Sequence, residues 1–184
     1  MRQTLGAATL ALVISVLPAA SRGQVPGMKL NIAAGAAFAT GNFGSRNNTG
    51  YNVAAGLNLT PPLSPLGFRV EGLYNEFDQN FTNPGFGSSG GKTRVGGVTA
   101  NAMYDLPIGI PTGGLVALYA IGGAGYYISK EPALDVNSQN NFGWNIGAGF
   151  RFPLTGFSAY VEARYHSVSN VDISMIPLSF GLIF

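Results

Sequence analysis

Cysteine is absent from this 184-residue chain, and charged residues make up only 10% of it. The first absence excludes a disulfide framework, a thiolate metal site and acylation of the lipoprotein type. The charged fraction is far below the roughly 25% of soluble globular domains, whose surfaces are rich in charged residues. The net charge is +2, and the Lys and Arg residues are scattered. Nucleic acid is therefore not an expected partner, and the length suggests one domain.

Long apolar runs are also scarce. Residues 115–128 are the best candidate for a membrane helix, but they are too few for a span of about 20 residues, and they contain Gly122, Gly123 and Gly125. A helical membrane protein is therefore disfavoured.

The N-terminal residues 1–23 have the pattern of a secretory signal peptide. Arg2 supplies a positive charge, residues 5–17 form an apolar core, and small residues follow, so cleavage is expected after Ser21 or Gly23. An uncleaved anchor helix is the alternative, although the apolar run is short for a membrane span. We expect residues 24–184 to leave the cytoplasm as a single barrel domain.

Glycine (27 residues), phenylalanine (12) and tyrosine (8) are abundant, and the mature chain alternates with a period of two. Eight segments have the length of a tilted membrane strand, and all of them except 115–129 show this alternation. They are 28–40, 51–60, 67–77, 94–106, 115–129, 141–152, 157–166 and 176–184. The faces of segment 115–129 cannot be assigned, because both are apolar. Since a backbone in lipid must satisfy all its hydrogen bonds internally, we predict an all-β fold, an eight-stranded antiparallel up-and-down transmembrane β-barrel.

Connections between these segments alternate in character. Four are rich in polar residues, and three are turns bounded by proline. The polar loops are 41–50, 78–92, 130–140 and 167–175. Barrels of the outer-membrane type have longer loops outside the cell and short turns in the periplasm. We therefore place the polar loops at the cell exterior as candidates for contact with an extracellular ligand.

Charged residues decide which face of a segment points into the barrel. A Lys or Arg on the lipid face at the bilayer midplane costs ~2–4 kcal/mol, so the charged faces must point inward. These faces carry Arg69, Glu71, Arg151, Glu162 and Arg164. We predict an internal polar network of Arg69, Glu71, Glu162 and Arg164, with Arg151 lower down. Eight strands enclose a space that side chains nearly fill, which favours a structural plug over a gated proton or ion path.

The outward faces carry aromatic residues near the strand ends. We predict that five of them form girdles at the level of the lipid headgroups, rather than an aromatic ligand site. They are Tyr51, Tyr74, Tyr104, Trp144 and Phe184.

His166 is the only histidine, and Ser167, Ser169 and Asp172 follow it. The stretch has some similarity to the lipid A deacylases, eight-stranded barrels that use a His, a Ser two residues later and a downstream Glu. Here Val168 occupies the position of that Ser, and no Glu follows. A Ser–His–acid site needs all three groups within hydrogen-bond reach. We expect a histidine at the rim that faces the lumen, and no catalytic, cofactor or metal site.

The last nine residues alternate without a break, and one face consists of Ile176, Leu178, Phe180, Leu182 and Phe184. This segment resembles the closing strand of bacterial outer-membrane barrels, which serves as an assembly signal. Together with segments 119–127 and 162–165, it makes the mature chain resemble the OmpA-like and OmpX-like eight-stranded barrels. The resemblance implies the bacterial outer membrane, with its lipid and lipopolysaccharide and the barrel-insertion machinery as partners. The peptidoglycan-binding domain of larger OmpA proteins is missing, so we expect no tethering to the cell wall.

Three functions remain open. The first is a non-enzymatic barrel that supports envelope integrity or displays its loops for adhesion. The second is a narrow, porin-like channel. The third is a lipid A-modifying hydrolase centred on His166.

Overall fold

The computed structural model describes residues 27–61, 64–80, 91–107, 116–131 and 136–184. Its strands form one closed antiparallel barrel in chain order, in which the first strand pairs with the last. They are Met28–Ala39 (β1), Gly50–Leu59 (β2), Leu66–Asp78 (β3), Lys92–Asp105 (β4), Ala117–Glu131 (β5), Val136–Pro153 (β6), Ser158–Val168 (β7) and Ile173–Ile183 (β8). The predicted fold class is confirmed. The predicted signal peptide, residues 1–23, lies outside the described residues.

The outer surface of the barrel is apolar. Large side chains such as Phe142, Ile146 and Val98 are 58–71% exposed, whereas Arg69 and Glu71 are buried. This reverses the order of a soluble protein, because the wall of a membrane barrel meets lipid and its polar groups face the interior. Within the described ranges, no helix is long and apolar enough to cross a membrane.

Strand β5, whose faces the sequence left unassigned, has a clear orientation in the structure. Tyr119, Ile121 and Tyr127 are buried on its inner face, while Tyr126 and Ile128 are exposed on its outer face. Both faces are apolar because the inner residues fill the lumen while the outer residues meet lipid.

The predicted extent of the loop 130–140 is wrong. The pairing of β5 with β6 continues from Ser129↔Gln139 to Glu131↔Val136 across a register shift, so much of the segment belongs to strands. Outside the apolar band of the barrel, a strand no longer needs one apolar face. The period-two signal is therefore lost while the hydrogen-bonded ladder continues.

The loops predicted at 78–92 and 167–175 also begin or end inside strands. Asp78 and Lys92 pair across β3 and β4, and β8 already starts at Ile173. Ile173 and Met175 are buried inside the barrel. Residues 81–90 lie outside the described part of the chain.

The predicted polar loop 41–50 contains a short helix, Gly41–Gly44 (α1). Gly41 starts it with a φ of 58°, a conformation that glycine adopts without strain. The helix directs Phe43 into the end of the barrel, where its side chain is completely buried. Asn47 donates a hydrogen bond to the Phe43 carbonyl at 3.1 Å, and the Asn48 amide donates to the Asp78 carbonyl at 2.8 Å. This connection therefore folds across the barrel end.

Candidate functional site

The middle of the lumen holds four charged side chains from two strands that face each other across the barrel. Arg69 and Glu71 come from β3, and Glu162 and Arg164 come from β7; we call them the charged cluster. Arg69 lies 2.9 Å from Glu162, and Arg164 lies 2.7 Å from Glu162 and also pairs with Glu71. The contact between Arg69 and Glu71 is looser, at 3.9 Å. The structure thus brings these four predicted residues together.

Polar and aromatic neighbours complete the charged cluster. Tyr119 donates a hydrogen bond to Glu162 at 2.6 Å, and Arg69 donates to the Asn58 side chain at 3.0 Å. The Arg69 guanidinium also lies 4.9 Å from the centre of the Tyr160 ring, within range of a cation–π contact. Sequence reasoning missed Tyr119 and Tyr160 as partners of the charges.

Small residues on the inner faces provide space for these long side chains. A Cβ atom at Gly147 would lie 2.6 Å from Cγ of Arg164, and one at Gly149 would lie 2.6 Å from the Tyr119 ring. Both distances are too short for a real carbon contact. A glycine opposite a large inward residue is therefore the sequence signal that could have located Tyr119.

The electrostatics of the charged cluster favour a fixed structure. Two cations and two carboxylates sum to zero, and their side chains are at most 6% exposed. Their mutual contacts offset the large cost of removing charges from water, whereas loss of one partner would leave a buried charge unpaired. Amide contacts continue the polar layer, as Asn145 donates to Asn101 at 2.8 Å and Asn31 donates to Asn58 at 3.3 Å.

Arg151 lies apart from the charged cluster, toward the end of the barrel with the short turns. It pairs with Asp105 at 3.1 Å and lies 5.0 Å from the centre of the Tyr119 ring. Asp105 is 43% exposed, so this pair is in contact with solvent.

An apolar layer closes the other end of the lumen, beside α1. It consists of Ala37, Phe43, Leu73, Phe77, Val95, Tyr127, Val168, Ile173 and Met175, and we call it the apolar cap. Phe43 packs edge-on against Phe77, with ring centres 5.1 Å apart. The polar composition of residues 41–50 concealed this role of Phe43.

His166 is enclosed near the apolar cap. Its Nδ1 atom lies 2.8 Å from the Tyr127 hydroxyl, and the residue is 1% exposed. Ser167 occupies the opposite face of β7, and Ser169 and Asp172 are exposed in the turn before β8. The structure does not assemble the Ser–His–acid arrangement considered from the sequence.

The aromatic residues predicted to form girdles lie on the outer wall at two levels. Tyr51 contacts Tyr74 near the loop end, with ring centres 6.1 Å apart. Trp144 contacts Tyr165, with ring centres 5.5 Å apart. At the turn end, Phe184 contacts Phe157, with ring centres 6.2 Å apart. The outward residue Tyr104 is also at the turn end of its strand.

The segment predicted as an assembly signal forms most of β8. Ile176, Leu178, Phe180 and Leu182 are on its outer face, and Phe184 follows the strand. The backbone of Phe184 exchanges two hydrogen bonds with Leu30, at 2.9 and 3.2 Å, beside the seam between β1 and β8.

An apolar outer wall, a filled polar lumen and complete closure define a transmembrane β-barrel of the outer-membrane type. The family model of the outer membrane protein beta-barrel domain matches residues 7–184. The chain belongs to this family, which places it in the bacterial outer membrane.

Solved structures show the same fold. Neisserial surface protein A is 16% identical, with a TM-score of 0.63 over 85% of this chain and 96% of that one. A major outer membrane protein from Thermus thermophilus is 14% identical, with a TM-score of 0.52 over 85% of this chain and 98% of that one. None of the curated protein sequences matches this chain.

Proposed function

We propose that this protein is a non-conducting, non-enzymatic barrel that supports the outer membrane and presents its exterior loops to extracellular ligands. The observation that carries this proposal is the double closure of the lumen by the charged cluster and the apolar cap. The proposal includes export by residues 1–23 and recognition of the final strand by the insertion machinery.

The energetics of the lumen support a closed state. Removing one partner from a buried ion pair costs about 3–5 kcal/mol. Since each 1.36 kcal/mol is a factor of ten, the population of a state that separates Glu162 from its two arginines would be lower by a factor of about 10²–10⁴. The apolar cap adds a second layer that must also open before ions can pass.

Conductance in planar bilayers tests the proposal against the alternative of a narrow channel. We expect no current steps from the folded protein under conditions in which a general porin conducts. Reproducible steps whose size changes in an Arg164→Ala variant would show that ions pass the charged cluster, and they would refute the proposal.

The hydrolase alternative receives less support from the geometry. The His166 ring is enclosed between β5 and β7, its hydroxyl neighbour is Tyr127, and Asp172 is in an exposed turn. A substrate acyl chain would have to displace the apolar cap to reach the imidazole.

A further inference from the structure

Three cationic side chains project outward at the loop end of the barrel. Lys92 and Arg94 are on β4 and Lys130 is on β5, and we call them the cationic patch. Lys92 and Arg94 have side chains that are 52% and 51% exposed, and Lys130 is also exposed. They contrast with Arg69 and Arg164, which the fold buries in the lumen.

The position of Arg94 along β4 places the cationic patch at the edge of the membrane. Ten residues separate it from Tyr104 at the turn end, about 34 Å along an antiparallel strand. With a strand tilt of about 35–45°, this corresponds to about 24–28 Å along the membrane normal, close to the ~25 Å apolar band of such barrels. Arg94 therefore lies at the level of lipid headgroups in one leaflet.

The arrangement of charges within the cationic patch leaves it attractive to an anion. Arg94 and Lys130 are direct cross-strand partners, and like charges in this relation repel each other. Two carboxylates on β3 lie beside Lys92: Glu76 is 2.6 Å from Lys92 and 3.0 Å from Arg94, and Asp78 is the cross-strand partner of Lys92. The excess positive charge of the cationic patch is therefore at Arg94 and Lys130. Among the described residues, no carboxylate forms a salt bridge with Lys130.

We propose that the cationic patch binds the phosphate groups of lipopolysaccharide in the outer leaflet. Arg94 presents a planar guanidinium suited to two phosphate oxygens, and Lys130 adds a point charge beside it. A bound phosphate would relieve the repulsion between Arg94 and Lys130. This inference rests on the exterior placement of the polar loops in the proposed function.

Binding to lipopolysaccharide in phosphatidylcholine nanodiscs tests the site. The double variant Arg94→Gln/Lys130→Gln is expected to lose about 10–100-fold in affinity, because each basic residue near an anionic surface contributes to binding. A Lys29→Gln variant removes one positive charge at the other end of the barrel and should bind like the parent, whereas Lys130→Gln alone removes one charge from the cationic patch and should bind more weakly. The charge-conserving variant Lys130→Arg should also retain affinity.

Three outcomes would overturn the site. The first is that the double variant binds as tightly as the parent protein, and the second is that Lys29→Gln loses as much affinity as the double variant. The third is that the parent protein binds lipopolysaccharide without lipid A phosphates as tightly as it binds intact lipopolysaccharide. Full competition by inorganic phosphate at millimolar concentration would show a general anion site and would also refute lipid recognition. Gel mobility of boiled and unboiled samples verifies that each variant is folded, and a double variant that fails to fold is replaced by Lys130→Gln alone.

The exterior placement is tested separately, since the chain has no cysteine of its own. A Ser169→Cys variant in the turn before β8 should react with a membrane-impermeant maleimide on whole cells, whereas Thr155→Cys in the turn before β7 should not. The reverse result would refute the orientation, and loss of lipid binding with the expected labelling would refute the cationic patch alone.

Discussion

Replacing Glu162 by Gln should strongly destabilise the barrel. Glu162 accepts contacts from Arg69 at 2.9 Å, Arg164 at 2.7 Å and Tyr119 at 2.6 Å, and all of them are buried. A neutral amide changes the charge of the cluster from zero to +1 and turns an NH₂ group toward donors. We expect a loss of about 3–5 kcal/mol in the free energy of unfolding, the usual cost of an unpaired buried charge.

The exposed pair at the other end of the lumen provides a matched control. In Asp105→Asn, the partner Arg151 remains 19% exposed, and Asp105 itself is 43% exposed. Water can solvate both groups, so the expected loss is about 0–1 kcal/mol, the usual range for surface ion pairs. The two substitutions remove one carboxylate charge each and differ chiefly in burial.

Urea unfolding of the protein in lipid vesicles measures both losses. Trp144, the only tryptophan, is on the outer wall and reports transfer from lipid to water by its fluorescence. The free energies follow from linear extrapolation. A double variant, Arg69→Met/Glu162→Met, leaves the neutral pair of Glu71 and Arg164, so its cost should be smaller than the sum of the two single Met variants.

Two results would refute this reasoning. One is a loss below about 1 kcal/mol in Glu162→Gln, indistinguishable from Asp105→Asn. The other is strict additivity of the two Met substitutions, which would mean that Arg69 and Glu162 do not stabilise each other.

Two further predictions use the same measurements. Gly149→Val should cost about 1–3 kcal/mol through overpacking against the Tyr119 ring, whereas Gly122→Val on the outer wall should cost less; equal costs would contradict this assignment of space. Phe43→Ala should loosen the apolar cap and speed cleavage by trypsin after Arg46, because a buried aromatic contributes about 3–5 kcal/mol to packing. Asn42→Ala, in the same helix but exposed, should leave cleavage unchanged, and an unchanged rate in Phe43→Ala would mean that the cap does not hold this loop.

The period of two was sufficient to predict the strands within the membrane. Lipid imposes one apolar face on each strand, and it excludes Arg69 and Arg164 from that face. The pattern therefore has a physical cause within the apolar band, and the direction of the side chains follows from it in every strand except β5, where both faces are apolar.

The period of two does not predict the structure where lipid no longer acts on the chain. Residues 136–140 extend β6 beyond its alternating segment, and a strand outside the apolar band needs no apolar face. Phe43 is a single apolar residue in a polar loop, and its burial depends on how that loop folds over the barrel. Tyr119 was missed because an apolar strand can face a filled lumen as readily as lipid.

The pairing of β1 with β8 makes closure of the barrel depend on its last strand. Asn31 meets Ile183, about 150 residues away in the chain, so the first strand keeps an unpaired edge until the last has been synthesised and delivered. Joining such distant residues is slow, because the entropy of a long loop must be lost first. A chain that lacked β8 would leave one edge of β1 without hydrogen-bond partners, and lipid cannot supply them.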